Sequence, residues 1–76
     1  MRKSMSETLR AFVSGRLTST AAKGDLLAHF STSVSVKYQA ITQQYIDEIM
    51  ADLEAGTVTI AAASEGLEES AAASYL

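Results

Sequence analysis

The residues best suited to chemistry are one histidine and one aspartate spaced four positions apart. His29 is the single histidine of the chain, and Asp25 lies one helical turn before it. A serine hydrolase also needs a nucleophile on a tight strand-to-helix turn. The chain has ten serines but no Gly-x-Ser-x-Gly sequence. We therefore predict a protein that is not an enzyme, in which Asp25 and His29 are a surface pair.

The content and spacing of cysteine, histidine, glycine and acidic residues argue against a metal or cofactor site. The chain has no cysteine and one histidine, which argues against disulfides and the usual zinc sites. Its four glycines are isolated, so no glycine-rich phosphate loop is present. Four carboxylates lie close together in sequence, but they lack the alternating spacing and central glycine of a calcium loop: Asp47, Glu48, Asp52 and Glu54. We predict neither a metal nor a cofactor.

Three helices are predicted to position these groups. Ser4 and Glu7 have the spacing of a capping box, and Gly15 suits a left-handed stop, which predicts a first helix over 5–14. A second helix is predicted over 20–31, although Gly24 weakens it. The third, over 37–55, is the longest and ends before a glycine. Its broad apolar face predicts neighbours on two sides.

The remaining segments leave two folds open. Residues 33–36 and 57–60 alternate Ser or Thr with Val or Ile, a pattern typical of short strands. The chain is therefore predicted to be mostly α, either a small three- to four-helix bundle or a winged-helix-like variant with a two-stranded β element flanking the third helix. Residues 65–76 fit either a short helix or a frayed tail, and we expect them to contribute little to the core.

The length of 76 residues predicts a single domain over residues 1–76, with no evident internal repeat. A chain of this size buries only about 60% of the surface that it exposes when unfolded, so a partner subunit would add needed stability. No apolar run is long enough to span a bilayer, and no hydrophobic segment follows the basic residues Arg2 and Lys3. We therefore expect no membrane association and a cytoplasmic location.

Charge is distributed unequally along the chain. All six basic residues lie in the first 37 positions, whereas the last 39 positions hold seven acids and no base. Acids in the second half of the third helix oppose its macrodipole, and Glu48 and Asp52 repel each other at i, i+4. One explanation is that they are solvated surface acids. The alternative is that they approach the basic first helix and its neighbouring cations, among them Arg2 and Lys3, within one chain or between copies.

The function predicted from these features is protein–protein interaction. We expect an accessory or assembly module that binds itself or another protein, as a homo-oligomer. Candidate interface residues lie on the apolar face and in the two charge clusters: Tyr38, Ile41, Tyr45, Ile49, Leu53, Asp47, Glu48, Asp52, Arg10 and Arg16. The alternative is a small winged-helix-like DNA-associated regulator, with Lys37 and nearby glutamines touching bases. A net charge of −3 makes nucleic acid the less favoured partner.

Overall fold

The computed structural model describes residues 3–76, which form four helices in a compact globule. They are α1 (Met5–Val13), α2 (Ser19–Leu27), α3 (Val36–Ala55) and α4 (Ile60–Ala73). The prediction of a mostly helical fold is confirmed. Arg2, part of the predicted basic cluster, lies outside the described residues. Within residues 3–76, no helix combines the length and the apolar composition needed to cross a membrane.

The β element is not supported, because the two alternating segments are helix entries. No residue of 3–76 is assigned to a strand. In the first segment, the Oγ of Ser35 accepts a hydrogen bond from the Tyr38 amide at 3.1 Å and caps α3. In the second, Thr59 Oγ1 accepts from the Ala62 amide at 3.1 Å and caps α4. The hydroxyl residues that resembled a strand pattern are N-caps, which occupy extended backbone just before a helix.

The first three helices lie close to the predicted positions. Ser4 caps α1, since its Oγ accepts from the Glu7 amide at 3.2 Å. α2 begins earlier than predicted, after the cap at Thr18, and Gly24 lies inside it. It also ends earlier, because the amides of His29 and Phe30 bond to carbonyls three residues back, which closes the helix in tighter turns.

The C-terminal segment differs from the expectation that it adds little to the core. Residues 65–73 are part of α4, and the Leu67 side chain is completely buried. Ala71 and Ser74 are buried as well. Ser74 Oγ accepts a hydrogen bond from the Ser31 amide at 2.9 Å, which fixes the end of α4 to the linker 28–35 between α2 and α3. Alanine and serine supply this packing, so the segment carries few of the large apolar residues that mark a docked helix in sequence.

The four helices form two similar helical hairpins, α1–α2 and α3–α4. Each turn contains a glycine at positive φ, 78° at Gly15 and 75° at Gly56. Each glycine amide bonds to the carbonyl three residues back, and the next amide bonds to the carbonyl five residues back at 2.9 Å. Each turn then ends in a threonine N-cap, Thr18 or Thr59. Glycine is required at these positions because left-handed backbone is costly for other residues.

The core repeats with the turns, so residues 41 positions apart are counterparts. Several pairs of counterparts are buried on both sides: Met5 and Ile46, Leu9 and Met50, Ala22 and Ala63, Leu26 and Leu67, Phe30 and Ala71. The contacts between helices show the same repeat, with α1 corresponding to α3 and α2 to α4. α1 packs against α2 and α4, α3 packs against α4 and α2, and α1 also contacts α3, whereas the backbones of α2 and α4 do not approach closely. Exchanging the two hairpins leaves this set of contacts unchanged, so the sequence reading of no internal repeat was wrong.

α3 is longer than its counterpart α1 at the N-terminal end. α1 begins at Met5, whose counterpart in α3 is Ile46, yet α3 begins ten residues earlier. Residues 36–45, here called the α3 extension, therefore have no equivalent helix in the first hairpin. One edge of the extension lies against the core, where Thr42 is buried and Tyr45 is half-buried. Its opposite edge faces solvent.

Candidate functional site

The exposed edge of the α3 extension carries large apolar side chains. Ile41 is 55% exposed and Tyr38 is 36% exposed. Together with Tyr45 and Glu48 they line an open depression that reaches Ser70 on α4. The three apolar residues follow each other at spacings of three and four, so they form one stripe along the helix. Such a stripe normally packs against another element, and no element of residues 3–76 covers its outer edge.

Tyr45 lines the bottom of this depression. Its ring packs against the core, and its hydroxyl lies over the backbone of α4 at Gly66. A Cβ atom added to Gly66 would stand 2.7 Å from Tyr45 Oη. The missing side chain of Gly66 therefore allows the Tyr45 hydroxyl to come close to α4. This contact is not visible in any local sequence pattern, because the two residues belong to different helices.

Two predicted interface residues lie on the core side of α3. Ile49 is half-buried and packs against the core, and Leu53 is only 7% exposed. They lie on the side of α3 that faces the rest of the domain. The structure thus divides the broad apolar face into an outer edge with Tyr38 and Ile41, and an inner edge that belongs to the core.

The acids of α3 are used in different ways. Asp47 forms an ion pair with Lys23 of α2, with Nζ 2.9 Å from Oδ1. Both side chains are partly solvated, so this pair contributes about 0–1 kcal/mol. Glu48 and Asp52 are exposed, and they make no ion pair with any residue of the described chain. The pairing of Lys23 with Asp47 shows that α2, rather than α1, supplies a cation to the middle of α3.

The basic residues of the first hairpin lie elsewhere. Arg10 and Arg16 are exposed and line an open groove with Lys3 and Glu7. The Nε of Arg16 donates to Ser14 Oγ at 3.0 Å. Neither arginine forms an ion pair with an α3 acid in residues 3–76. Within residues 3–76 the cation paired with an α3 acid therefore comes from α2, and the predicted pairing of first-helix arginines with these acids is not observed.

The surface pair predicted for Asp25 and His29 does not form. His29 Nε2 lies 3.0 Å from the Lys3 carbonyl oxygen, so the ring holds the start of the described chain. No hydrogen bond or ion pair joins it to Asp25 in the described structure. Residues 3–76 also contain no cluster of three or more side chains able to hold a metal ion.

Comparison of the chain with protein-family models, with curated proteins and with solved structures finds no significant match. Functional reasoning therefore rests on the surface geometry. The exposed edge of the α3 extension is the candidate site.

Proposed function

We propose that this protein is a protein–protein interaction module that self-associates through the exposed edge of the α3 extension. One observation carries the proposal. The extension is the part of α3 that the hairpin repeat does not require, and it bears Tyr38 and Ile41 in contact with solvent. Covering these side chains would contribute roughly 25 cal/mol for each Å² of apolar area removed from water.

The type of surface also favours a protein partner. Interfaces are enriched in tyrosine and depleted of charge at their centre, and the stripe from Tyr38 to Tyr45 has this composition. The site has the character of a contact surface rather than a reaction centre, since an open depression does not exclude water from a substrate. An accessory or assembly role follows from a module of this kind.

The DNA-associated alternative has weaker support. It depended on a β wing, and the segments expected to form it are helix caps. Lys23, one of the six basic residues of the chain, is paired with Asp47 and so is less available to a phosphate. The exposed side chains of Arg10 and Arg16 remain available to DNA phosphates. A DNA mobility assay at several salt concentrations therefore tests this alternative directly.

The test of self-association is molar mass by light scattering across a range of protein concentrations. We expect a monomer–dimer equilibrium that Ile41→Asp abolishes while helical content by circular dichroism is retained. Gln43→Asp is the matched control, because Gln43 is exposed and points about 160° away from Ile41 around the helix. A wild-type chain that remains monomeric at every concentration refutes the proposal. Equal association of the two variants also refutes it.

A further inference from the structure

The exposed stripe of α3 has a charge of opposite sign at each end. Lys37 lies one turn before Ile41, and Glu48 lies two turns after it. Both are exposed, and neither forms an ion pair with another described residue. Their spacing of 11 residues is close to three full turns, which places them on the same side of the helix about 16 Å apart.

We infer that two copies of this chain pair through antiparallel α3 helices, with Lys37 of each copy beside Glu48 of the other. This inference rests on the proposed self-association and specifies its geometry. A two-fold axis between Ile41 and Gln44 lies midway between the two charges. It brings the Tyr38, Ile41 and Tyr45 side chains of both copies together at the centre. An ion pair then closes each end of the apolar contact.

Charge decides between antiparallel and parallel pairing. Parallel α3 helices would place Glu48 beside Glu48 and Asp52 beside Asp52 of the second copy. Like charges at these positions oppose association. The antiparallel arrangement replaces this repulsion with two attractions, and the helix macrodipoles also oppose each other favourably.

A head-to-tail contact is the main competing arrangement between copies. It would place the groove with Arg10 and Arg16 against the acids of α3 in the next copy. That contact leaves each copy with one unused surface, so it continues into an open chain of subunits. It also does not bring two apolar surfaces together, because the α3 stripe meets a charged groove. The antiparallel pair covers Tyr38 and Ile41 in both copies and closes after two subunits.

The contact is small, since it spans about three turns of one helix on each side. Interfaces at the small end of the range bind weakly, so we expect dissociation in the micromolar range. Weak binding makes the charge contribution measurable. It also means that charge reversal can abolish dimerisation without unfolding the chain, because both residues are exposed.

The experiment uses Lys37→Glu and Glu48→Lys in the chain of 76 residues. Each variant alone places two like-charge contacts in a homodimer, and we expect its dissociation constant to rise about tenfold or more. A mixture of the two variants restores both attractions, so it should form a heterodimer with near wild-type affinity. Sedimentation equilibrium of each variant and of the equimolar mixture measures these constants. Circular dichroism confirms that the helices are retained.

The outcomes separate this inference from the proposed function. A wild-type chain that is monomeric at every concentration refutes both the proposed self-association and the antiparallel pairing. A wild-type dimer with unchanged affinity in Lys37→Glu, or a mixture that does not recover, overturns the antiparallel pairing but leaves self-association intact. Weakening by Arg10→Glu together with Arg16→Glu, with rescue by Glu48→Lys, assigns the contact to the head-to-tail arrangement and likewise overturns the pairing.

Discussion

Two glycines inside helices provide the sharpest test of the packing. Gly24 in α2 and Gly66 in α4 both lie outside the positive-φ region, so alanine fits the backbone at each position. A Cβ at Gly24 would have no atom within 4 Å, apart from the neighbouring backbone. A Cβ at Gly66 would stand 2.7 Å from the Tyr45 hydroxyl. The two substitutions therefore have the same effect on helix propensity, but only Gly66→Ala creates a close contact.

The expected magnitudes follow from these two effects. Alanine is more favourable than glycine in a helix interior by about 0.5–1 kcal/mol. In a domain of this size, 1 kcal/mol shifts the melting temperature by about 4–8 °C, so Gly24→Ala should raise it by about 2–8 °C. Gly66→Ala gains the same amount but must displace the Tyr45 hydroxyl, and overpacking typically costs about 1–3 kcal/mol. We expect a net loss of about 0–2.5 kcal/mol.

The assay is urea unfolding of both single variants, of Tyr45→Phe, and of Tyr45→Phe combined with Gly66→Ala. All measurements use one protein concentration, because association makes apparent stability depend on concentration. Removing the hydroxyl should allow Gly66→Ala to stabilise as Gly24→Ala does, and the double-mutant cycle should give a coupling of about 1–3 kcal/mol. If Gly66→Ala stabilises the wild-type chain as much as Gly24→Ala does, the close contact with Tyr45 is refuted.

Three further predictions concern stability. Thr8 Oγ1 is buried without a hydrogen-bond partner in the described residues, so Thr8→Val should raise the free energy of unfolding by about 1 kcal/mol, and a loss of stability would contradict this. Deleting residues 65–76 should abolish cooperative thermal unfolding, whereas deleting the exposed residues 75–76 should have little effect; equal behaviour of the two truncations would show that α4 is not docked. Gly15→Ala and Gly56→Ala should each cost about 1–2 kcal/mol in urea unfolding, and a neutral result at either would argue against the left-handed turn.

Much of the helical layout was predictable because local chemistry determines it. Ser4 and the glycines after α1 and α3 act where the sequence rules place them. The errors arose where one local pattern has two explanations. An alternation of hydroxyl and β-branched residues is typical of a strand, but a single Ser or Thr before a helix is equally typical of a cap. Ser35 and Thr59 belong to the second case.

The hairpin repeat was missed because its core positions differ in residue type. Only six of the 27 pairs from Ser4 to Phe30 and their counterparts are identical, too few to recognise by eye. Burial is conserved between the halves while the side chain changes, as at Leu9 and Met50. The usable signal was the turn, since glycine, any residue, an apolar residue and threonine occur in that order at both 15–18 and 56–59.

The candidate surface was predicted only in outline. Periodicity indicated a broad apolar face on the third helix, and the structure has such a face. Periodicity alone does not reveal which side a neighbouring helix covers. The position of α4 decides this, because it lies against Tyr45 and leaves Ile41 exposed. The charge asymmetry was real, but its one ion pair in residues 3–76 joins Asp47 to Lys23 of α2 rather than to an arginine of the first helix.

The linker 28–35 is attached to both ends of the described chain. His29 contacts the Lys3 carbonyl, and the Ser31 amide bonds to Ser74. Local opening at the end of α4 therefore exposes the Ser31 amide to solvent, although 43 residues separate the two partners. Hydrogen exchange at that single amide reports the docking of α4, and its protection should follow that of the α4 amides near Ala71 rather than that of its neighbours in sequence. We therefore expect the linker and the last turn of the domain to open together.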